Sequence, residues 1–288
     1  MPKHITQKQK EEIVNYYIQK PITIKALATL FKISEPSAIK ILNEYNIKRY
    51  SKVQLFSPEL REDYFENINC EAKAYFLGLI ITDGCVHYTK GKQPLVGLSL
   101  KEEDEYLIEK FKTEICSNKL ITHDRRGCSQ LNILSRKMVE DLKQFDILAN
   151  KSLNTKFPKN LPQQMYPHLI RGILDGDGSV SYYARQNRKS HTKAIRFCQG
   201  NKNFLQDMVN FFYDNLKIDK VSLYQEKESL WSIAYRKNIS MIKIIDYIYK
   251  DANIYMKRKK QICDLIYAEA CKYGGTEITN KIKKLIVS

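Results

Sequence analysis

The segment Tyr166-Pro-His-Leu-Ile-Arg-Gly-Ile-Leu-Asp-Gly-Asp-Gly-Ser-Val180 has a relative earlier in the chain, Tyr75-Phe-Leu-Gly-Leu-Ile-Ile-Thr-Asp-Gly-Cys-Val86. Each is an apolar run with a small residue at every fourth place, Gly78 and Thr82 in the first, Gly172 and Gly176 in the second. Each ends in Asp-Gly. Residues four apart share one face of a helix, so each run predicts a helix with a flat strip on which another backbone can lie closely. Two such strips in one chain suit each other. Gly84 and Gly178 are expected just past the helix ends, in the left-handed region. Asp83 and Asp177 are expected in the last turns, where the helix dipole disfavours a carboxylate by roughly 0.3–1 kcal/mol. Crossing helices would bring both carboxylates together, and a divalent cation with oxygen ligands is the natural counter-charge. The bland alternative is a pair of solvated C-terminal residues. A calcium loop built on Asp-x-Asp-Gly is excluded, because Gly178 comes too early and no glutamate follows at the required distance.

Outward from these helices one order of elements occurs twice. In the first copy, strands over 85–88 and 95–100 flank the turn Lys90-Gly-Lys-Gln-Pro94, and a helix covers 104–116. A hairpin of 120–123 and 129–134 around Arg125-Arg-Gly-Cys128 and a helix over 137–145 follow. In the second copy, strands over 179–184 and 194–199 flank a basic turn holding Arg185 and Arg188, and a helix covers 203–216. A hairpin of 221–225 and 230–235 and a helix over 239–249 complete it. Asp83 and Asp177 lie 94 residues apart, Lys101 and Gln199 lie 98 apart, and the dipeptides Arg136-Lys137 and Arg236-Lys237 lie 100 apart. Spacings that creep upward describe a duplicated unit with small insertions in its second copy.

Residues 1–50 read as a separate three-helix module. Helices are expected over 8–17, 23–31 and, capped by Ser34 with Pro36 in its first turn, 34–45. Leu27, Ala28, Phe31, Ile33, Ala38 and Ile41 have the spacing of a helix-turn-helix core, and the module resembles that family of DNA-binding modules, with Lys32 where glycine is common at the turn. Residues 1–52 carry ten Lys and Arg against four Glu, a balance suited to phosphate. The resemblance implies that Ser37, Lys40 and Asn43 face a groove. Generic three-helix packing is the alternative. Residues 51–70 read as a connector and 274–288 as a lysine-rich tail, preceded by a basic helix with a solvated charged face.

Composition bounds the partner. A net charge of +16 and a pI near 9.3 point to a polyanion, nucleic acid before membrane. No apolar run approaches 18 residues, and the N-terminus shows no signal-peptide core. Seven cysteines, none in a Cys-x-x-Cys pair, are expected as free thiols in a reducing intracellular compartment rather than as a zinc site.

At Phe76-Leu-Gly-Leu-Ile-Ile-Thr-Asp-Gly84 and Ile170-Arg-Gly-Ile-Leu-Asp-Gly-Asp-Gly178 the chain resembles the LAGLIDADG homing endonucleases. The first copy departs from the nine-letter motif at its first, second, sixth and seventh places; the second matches best in its latter half. The resemblance spans about residues 71–273. It implies an α+β fold of two pseudo-symmetric αββαββα repeats, 71–164 and 165–273, with saddle-like antiparallel sheets. It implies site-specific, metal-dependent cutting of both strands of DNA by a monomer on a long asymmetric target, with Mg²⁺ or Mn²⁺ as cofactor. Asp83 and Asp177 inherit the metal-binding eighth place. The sixth place is Ile81 in one copy and Asp175 in the other, so no catalytic role passes to Asp175. Lys137 and Lys237, with Arg136 and Arg236 as rivals, are expected near the scissile phosphates, and Lys101 and Gln199 at positions that order water. Base readers are expected among Ser99, Asn132, Ser181, Tyr183, Arg185, Arg196 and Tyr224, with Arg125, Arg126 and Arg188 as further DNA contacts. An intron-RNA maturase and a non-cutting DNA-binding regulator are alternatives on the same fold. Two dipole-opposed carboxylates argue against the pure binder. An intein is not expected, since splice-junction residues are lacking.

Overall fold

In the computed structural model, residues 5–20, 22–50, 59–148, 154–184 and 191–273 are described. Arg185, Arg188 and the tail at 274–288 lie outside them. The chain divides into two compact units, Met1–Arg61 with Cys116–Asn118, and Glu62–Ile115 with Lys119–Ser288.

The smaller unit holds α1 (Gln7–Gln19), α2 (Ile24–Leu30) and α3 (Glu35–Glu44). Each starts on a side-chain cap, which satisfies amide groups that a helix start leaves unpaired. Thr6 and Gln9 form a reciprocal capping box, Thr23 accepts from the Ala26 amide, and Ser34 accepts from the Ser37 amide. Ile13, Val14, Tyr17, Leu27, Ala28, Ala38, Ile41 and Leu42 make the core, with Phe31 and Ile33 packed against it. Lys32 in the α2–α3 turn has φ +53°, the conformation for which glycine is the usual choice.

The larger unit contains the duplication. Its first copy is α4 (Glu71–Thr82), β1 (Gly84–His87), β2 (Leu95–Lys101), α5 (Glu105–Glu114), β3 (Thr122–His123), β4 (Cys128–Leu134) and α6 (Arg136–Lys143). Its second is α7 (Tyr166–Asp175), β5 (Ser179–Ala184), β6 (His191–Gln199), α8 (Lys202–Leu216), β7 (Tyr224–Lys227), β8 (Leu230–Tyr235) and α9 (Asn238–Tyr249). A further helix, α10, spans Lys257–Tyr273. Each copy builds a four-stranded antiparallel sheet, ordered β1-β2-β4-β3 and β5-β6-β8-β7. The α+β, twofold-repeated architecture expected from the sequence is the one observed. No helix among the described residues is long and apolar enough to cross a membrane.

Alternation within each strand separates two faces. Val96, Leu98, Leu100, Leu131 and Ile133 are buried beneath the first sheet; Val180, Ile195, Phe197, Ile233 and Tyr235 are buried beneath the second. The stretch expected as a connector departs from that reading. Tyr64, Phe65 and Ile68 are buried, and Phe65 packs on Tyr64 and Phe111 with centroids 5.0 and 6.1 Å away. The second unit therefore begins at Glu62 rather than at 71. Burial of two adjacent aromatics outweighs the charged residues around them.

The two units of the duplication meet along α4 and α7. A β-carbon on Gly78 would lie 2.9 Å from both Gly172 Cα and the Ile173 nitrogen, and one on Gly172 would strike the Tyr75 carbonyl. Backbone touches backbone at this crossing. α4 is apolar around its circumference, and Ala74 through Ile81 are all buried, as a helix enclosed on every side must be. Gly84 and Gly178 differ from expectation, since among the described residues the left-handed glycines are Gly91 and Gly127. Space is what requires them: β-carbons there would lie 2.6 Å from the Ile80 and Leu174 carbonyls respectively. Gly172→Ala is expected to cost roughly 3 kcal/mol or more, because no flexible side chain can yield. Equilibrium urea unfolding of the two proteins measures it, and a difference below 1 kcal/mol would contradict a backbone contact.

Candidate functional site

The helix crossing delivers both motif aspartates to one place. Asp83 is the C-cap of α4. α7 ends one turn-residue sooner than expected, so Gly176 is its C-cap and Asp177 lies in the turn beyond. Gly176 closes against the other repeat: a β-carbon there would sit 2.5 Å from Thr82 Cβ and 3.0 Å from Asp83 Oδ2. The Asp83 carboxylate thus rests on the residue that precedes Asp177.

The sixth motif place has a structural use. Asp175 is completely buried, and its Oδ2 accepts from the Tyr75 hydroxyl at 2.8 Å and the Met256 amide at 2.7 Å. Burial pushes its carboxyl up to about 6, against the pull of those two donors. Arg171, one turn earlier, is also fully buried. It donates to the Ile248 and Ile254 carbonyls at 2.5 and 2.7 Å and to Glu71 at 2.6 Å. Glu71 accepts in turn from the Asn253 and Ile254 amides.

Lys259 is the residue that sequence reading missed. Expected on a solvated helix face, it is buried at 6% exposure. Its Nζ lies 2.6–3.1 Å from the carbonyl oxygens of Leu174, Asp175, Gly176 and Gly178, its three N–H donors shared among the four. A cation therefore closes the negative end of α7 immediately beside Asp177. Burial lowers the Lys259 pKa, while Asp175, Asp83 and Asp104 oppose that effect. Arg258 bonds Asp104 at 2.9 Å and Lys260 bonds Asp264. The run of basic residues in α10 was visible in the sequence; its partners, more than 80 positions away for Lys259, were not.

Strand register corrects three expected roles. The row Cys85–Gly97–Asn132 in the first sheet matches Ser179–Arg196–Ala234 in the second, each starting two residues after its aspartate. By these rows Lys101 matches Gly200, and Gln199 matches Leu100. Gln199 accordingly points inward, 4% exposed, with its oxygen on the Gly200 amide at 2.8 Å. It does not face a substrate, whereas Lys101 is exposed at the aspartate end of β2. The Arg-Lys dipeptides are not equivalent either, because α6 starts at Arg136 and α9 at Asn238. Both dipeptides follow strands that run away from the aspartates. β4 ends opposite Leu95, which pairs with His87, about 10 Å of strand beyond Gly84. Lys137 bonds Asp141 at 2.5 Å and Glu66 at 3.0 Å, and Lys237 bonds Asp219 at 2.7 Å. Arg136 and Arg236 are exposed at the same far ends.

The expected readers fall on one side of the sheets. Cys85 Sγ and Asn132 Oδ1 flank the open side of Gly97, and Ser99 shares that parity. In the second sheet Ser181, Tyr183, Arg196 and Tyr224 occupy the corresponding face, with Tyr183 57% and Tyr224 55% exposed. Arg125 and Arg126 are exposed in the β3–β4 turn. In the smaller unit Lys40 and Asn43 are exposed on α3, while Ser37 is half-buried and its hydroxyl is 2.8 Å from that of Ser34.

No family model and no curated protein matches the sequence. Solved structures do match. The LAGLIDADG meganuclease I-AabMI bound to uncleaved DNA aligns over 73% of this chain and 96% of its own, at 15% identity and TM-score 0.51. I-GzeII, in complex with its DNA target, aligns over 76% and 98% at 15% identity and TM-score 0.51. I-LtrWI, bound to target DNA, aligns over 78% and 97% at 12% identity and TM-score 0.50. The chain has the LAGLIDADG homing endonuclease fold. In this LAGLIDADG fold the two motif helices are α4 and α7, and the aspartates stand where the two repeats join.

Lys259→Met would leave four carbonyls at and just beyond the end of α7, those of Leu174 and Asp175 buried, without their donor. We expect a loss of roughly 3 kcal/mol in unfolding free energy, read by urea denaturation. Wild-type stability in the variant would remove the helix-end role.

Proposed function

We propose that this protein is a site-specific, metal-dependent endonuclease that cuts both strands of a long, asymmetric DNA target as a monomer. The observation that carries the reading is the Asp83 carboxylate lying against Gly176, the residue before Asp177. Two carboxylates from two repeats are thereby held at the junction of two helix-free sheet faces. The DNA-bound state of the structural neighbours supports the partner.

The donor set suits the cofactor. Mg²⁺ and Mn²⁺ take hard oxygen ligands, and Mg²⁺ sites commonly use one or two carboxylates completed by substrate phosphates. Among the described residues no cluster of three or more His, Cys, Asp or Glu forms a closed metal cage, so Asp83 and Asp177 would share the ion with the substrate. Bound there, the cation would supply Lewis-acid neutralisation of the phosphoryl oxygens and an activated water. Asp83 and Asp177 hold the site between the two strands. Lys101, exposed at the same end of the first sheet, can meet charge developing on a phosphate oxygen. Lys259 holds the backbone that carries Asp177. The open faces, with Ser99, Asn132, Ser181, Tyr183, Arg196 and Tyr224, offer polar groups to a major groove. Arg125 and Arg126 at one sheet end, and Arg136 and Arg236 at the outer ends, offer phosphate contacts. The helix-turn-helix unit lengthens the recognised site through α3, with Lys40 and Asn43 exposed on it.

Cleavage of a randomised duplex library with Mg²⁺, followed by sequencing of the ends, tests this directly. Wild type should yield one long shared motif with cuts on both strands. Asp83→Asn and Asp177→Asn should each reduce double-strand cutting at least a hundredfold, an effect on the order of 3 kcal/mol in the barrier, with binding retained. Cutting at the wild-type rate in either variant removes the metal assignment. Enrichment by binding without any cutting favours a regulator, and binding of structured RNA alone favours a maturase. Separately, Lys40→Ala should shallow the slope of log K against log salt by about 0.9, the loss of one phosphate contact. An unchanged slope takes α3 out of the interface.

A further inference from the structure

Arg196 sits in the middle of the open face of the second sheet, in the row Ser179–Arg196–Ala234. Its Nη1 is 3.1 Å from Glu226 Oε1, which also accepts from the Ser232 hydroxyl at 2.6 Å. Both charged side chains are little more than one-third exposed. Glu226 stands at the irregularity of β7, where the register shifts between Gln225 and Lys227. An extra residue at such a point re-aims its side chain. Ser232 and the bulge fix the carboxylate, and the carboxylate fixes one edge of the guanidinium.

The first sheet offers a comparison within the same molecule. The pair Thr122–Gln130 corresponds to Tyr224–Ser232, so Asp124 corresponds to Glu226. Asp124 also accepts from its neighbouring strand, through Gln130 Nε2 at 3.4 Å. Its arginine, however, is Arg126 in the adjacent turn, bound through both Nε and Nη2 at 3.0 and 2.8 Å. That fork is consumed. Among the described residues, Nη1 is the only guanidinium nitrogen of Arg196 with a hydrogen bond. Its two-nitrogen edge is held in direction and left open toward the groove.

A carboxylate beside an arginine weakens its general pull on phosphate and leaves its directional donors intact. Directional, bidentate donation in a major groove selects the O6 and N7 of guanine, and a carboxylate beside it can accept from the N4 amino group of the paired cytosine. We infer that Arg196, aimed by Glu226 and Ser232, reads the guanine of one G·C pair under the second sheet. The inference rests on the DNA-binding reading above. Arg196 lies level with Ser179, two residues from Asp177, so about 7 Å of strand separates the row from the aspartate. At about 3.4 Å per base step the pair lies about two or three base pairs outside the cut on the second repeat's side.

The test is selection from a randomised duplex library by the full chain, with binding rather than cutting as the readout. Wild type should enrich a motif with an invariant G·C pair at one such position. Arg196→Ala should lower discrimination there about tenfold and leave the other positions as they were. Arg196→Lys keeps the charge and loses the fork, so it should lose the same preference with an unchanged salt slope. Glu226→Gln should relax the same position while total binding is maintained or strengthened. Thermal melting of each variant shows that the sheet is intact. A motif identical in Arg196→Ala and wild type overturns the inference while the DNA-binding reading stands. So does a uniform loss across the motif with a salt slope reduced by about one, which marks a phosphate contact. If the wild-type chain enriches no motif, the inference falls together with the reading beneath it.

Discussion

The larger unit depends on one backbone contact, the crossing of α4 and α7 at Gly78 and Gly172. Those two residues allow two apolar helices to approach until main chain meets main chain. Any side chain at either place would push the helices apart, and the repeats with them. The same closeness continues one turn further, where Gly176 lies under Thr82 and Asp83. The separation of the two aspartates is therefore set by glycines that carry no chemistry. Packing that would be expendable elsewhere is here the means by which two distant carboxylates reach one site.

Burying two helices at their polar ends carries an electrostatic cost, and charged side chains from both repeats meet it. Arg171 satisfies carbonyls at 248 and 254, Glu71 satisfies amides at 253 and 254, and Lys259 satisfies four carbonyls at the end of α7. Every one of these contacts joins segments at least 77 residues apart. They tie the entry to α10 onto both motif helices. Charges so placed add direction more than they add net stability, since desolvation offsets much of their attraction. At the opposite end of the same helix, Glu269 accepts from Tyr182, His191 and Lys193. Burial raises its carboxyl, and the bonds from Tyr182 and Lys193 more than reverse that, holding it near 2. Helix α10 is thus fastened at both ends to the second repeat.

The two repeats are alike in backbone and unlike in chemistry. Gly97 stands where Arg196 stands, Leu100 where Gln199 stands, and Ile81 where Asp175 stands by motif position. A single chain with two copies permits this divergence, because each copy can change without the other. A dimer of identical repeats would have both halves equal.

Much of this was readable in the sequence by itself. Small residues at every fourth place announced two helices that pack through their glycines, and the Asp-Gly endings marked the candidate site. Alternation in the strands announced sheets with one open face, and the Ser34 cap with the spacing of Leu27, Ala28, Ala38 and Ile41 announced a three-helix unit. These are local signals, set by helix and strand periodicity and by the hydrogen bonds of neighbouring residues. Tertiary structure alone decided the rest. Spacing between the copies paired Lys101 with Gln199 and Lys137 with Lys237, but strand register turns Gln199 inward and carries both Arg-Lys pairs away from the aspartates. A slip of one residue reverses the face of every side chain in a strand, and spacing between repeats does not determine register to one residue. Nor does a run of lysines show which one will be buried. Lys259 is chosen because α10 begins against the carbonyl end of α7, a meeting of segments more than 80 residues apart that only the folded chain creates.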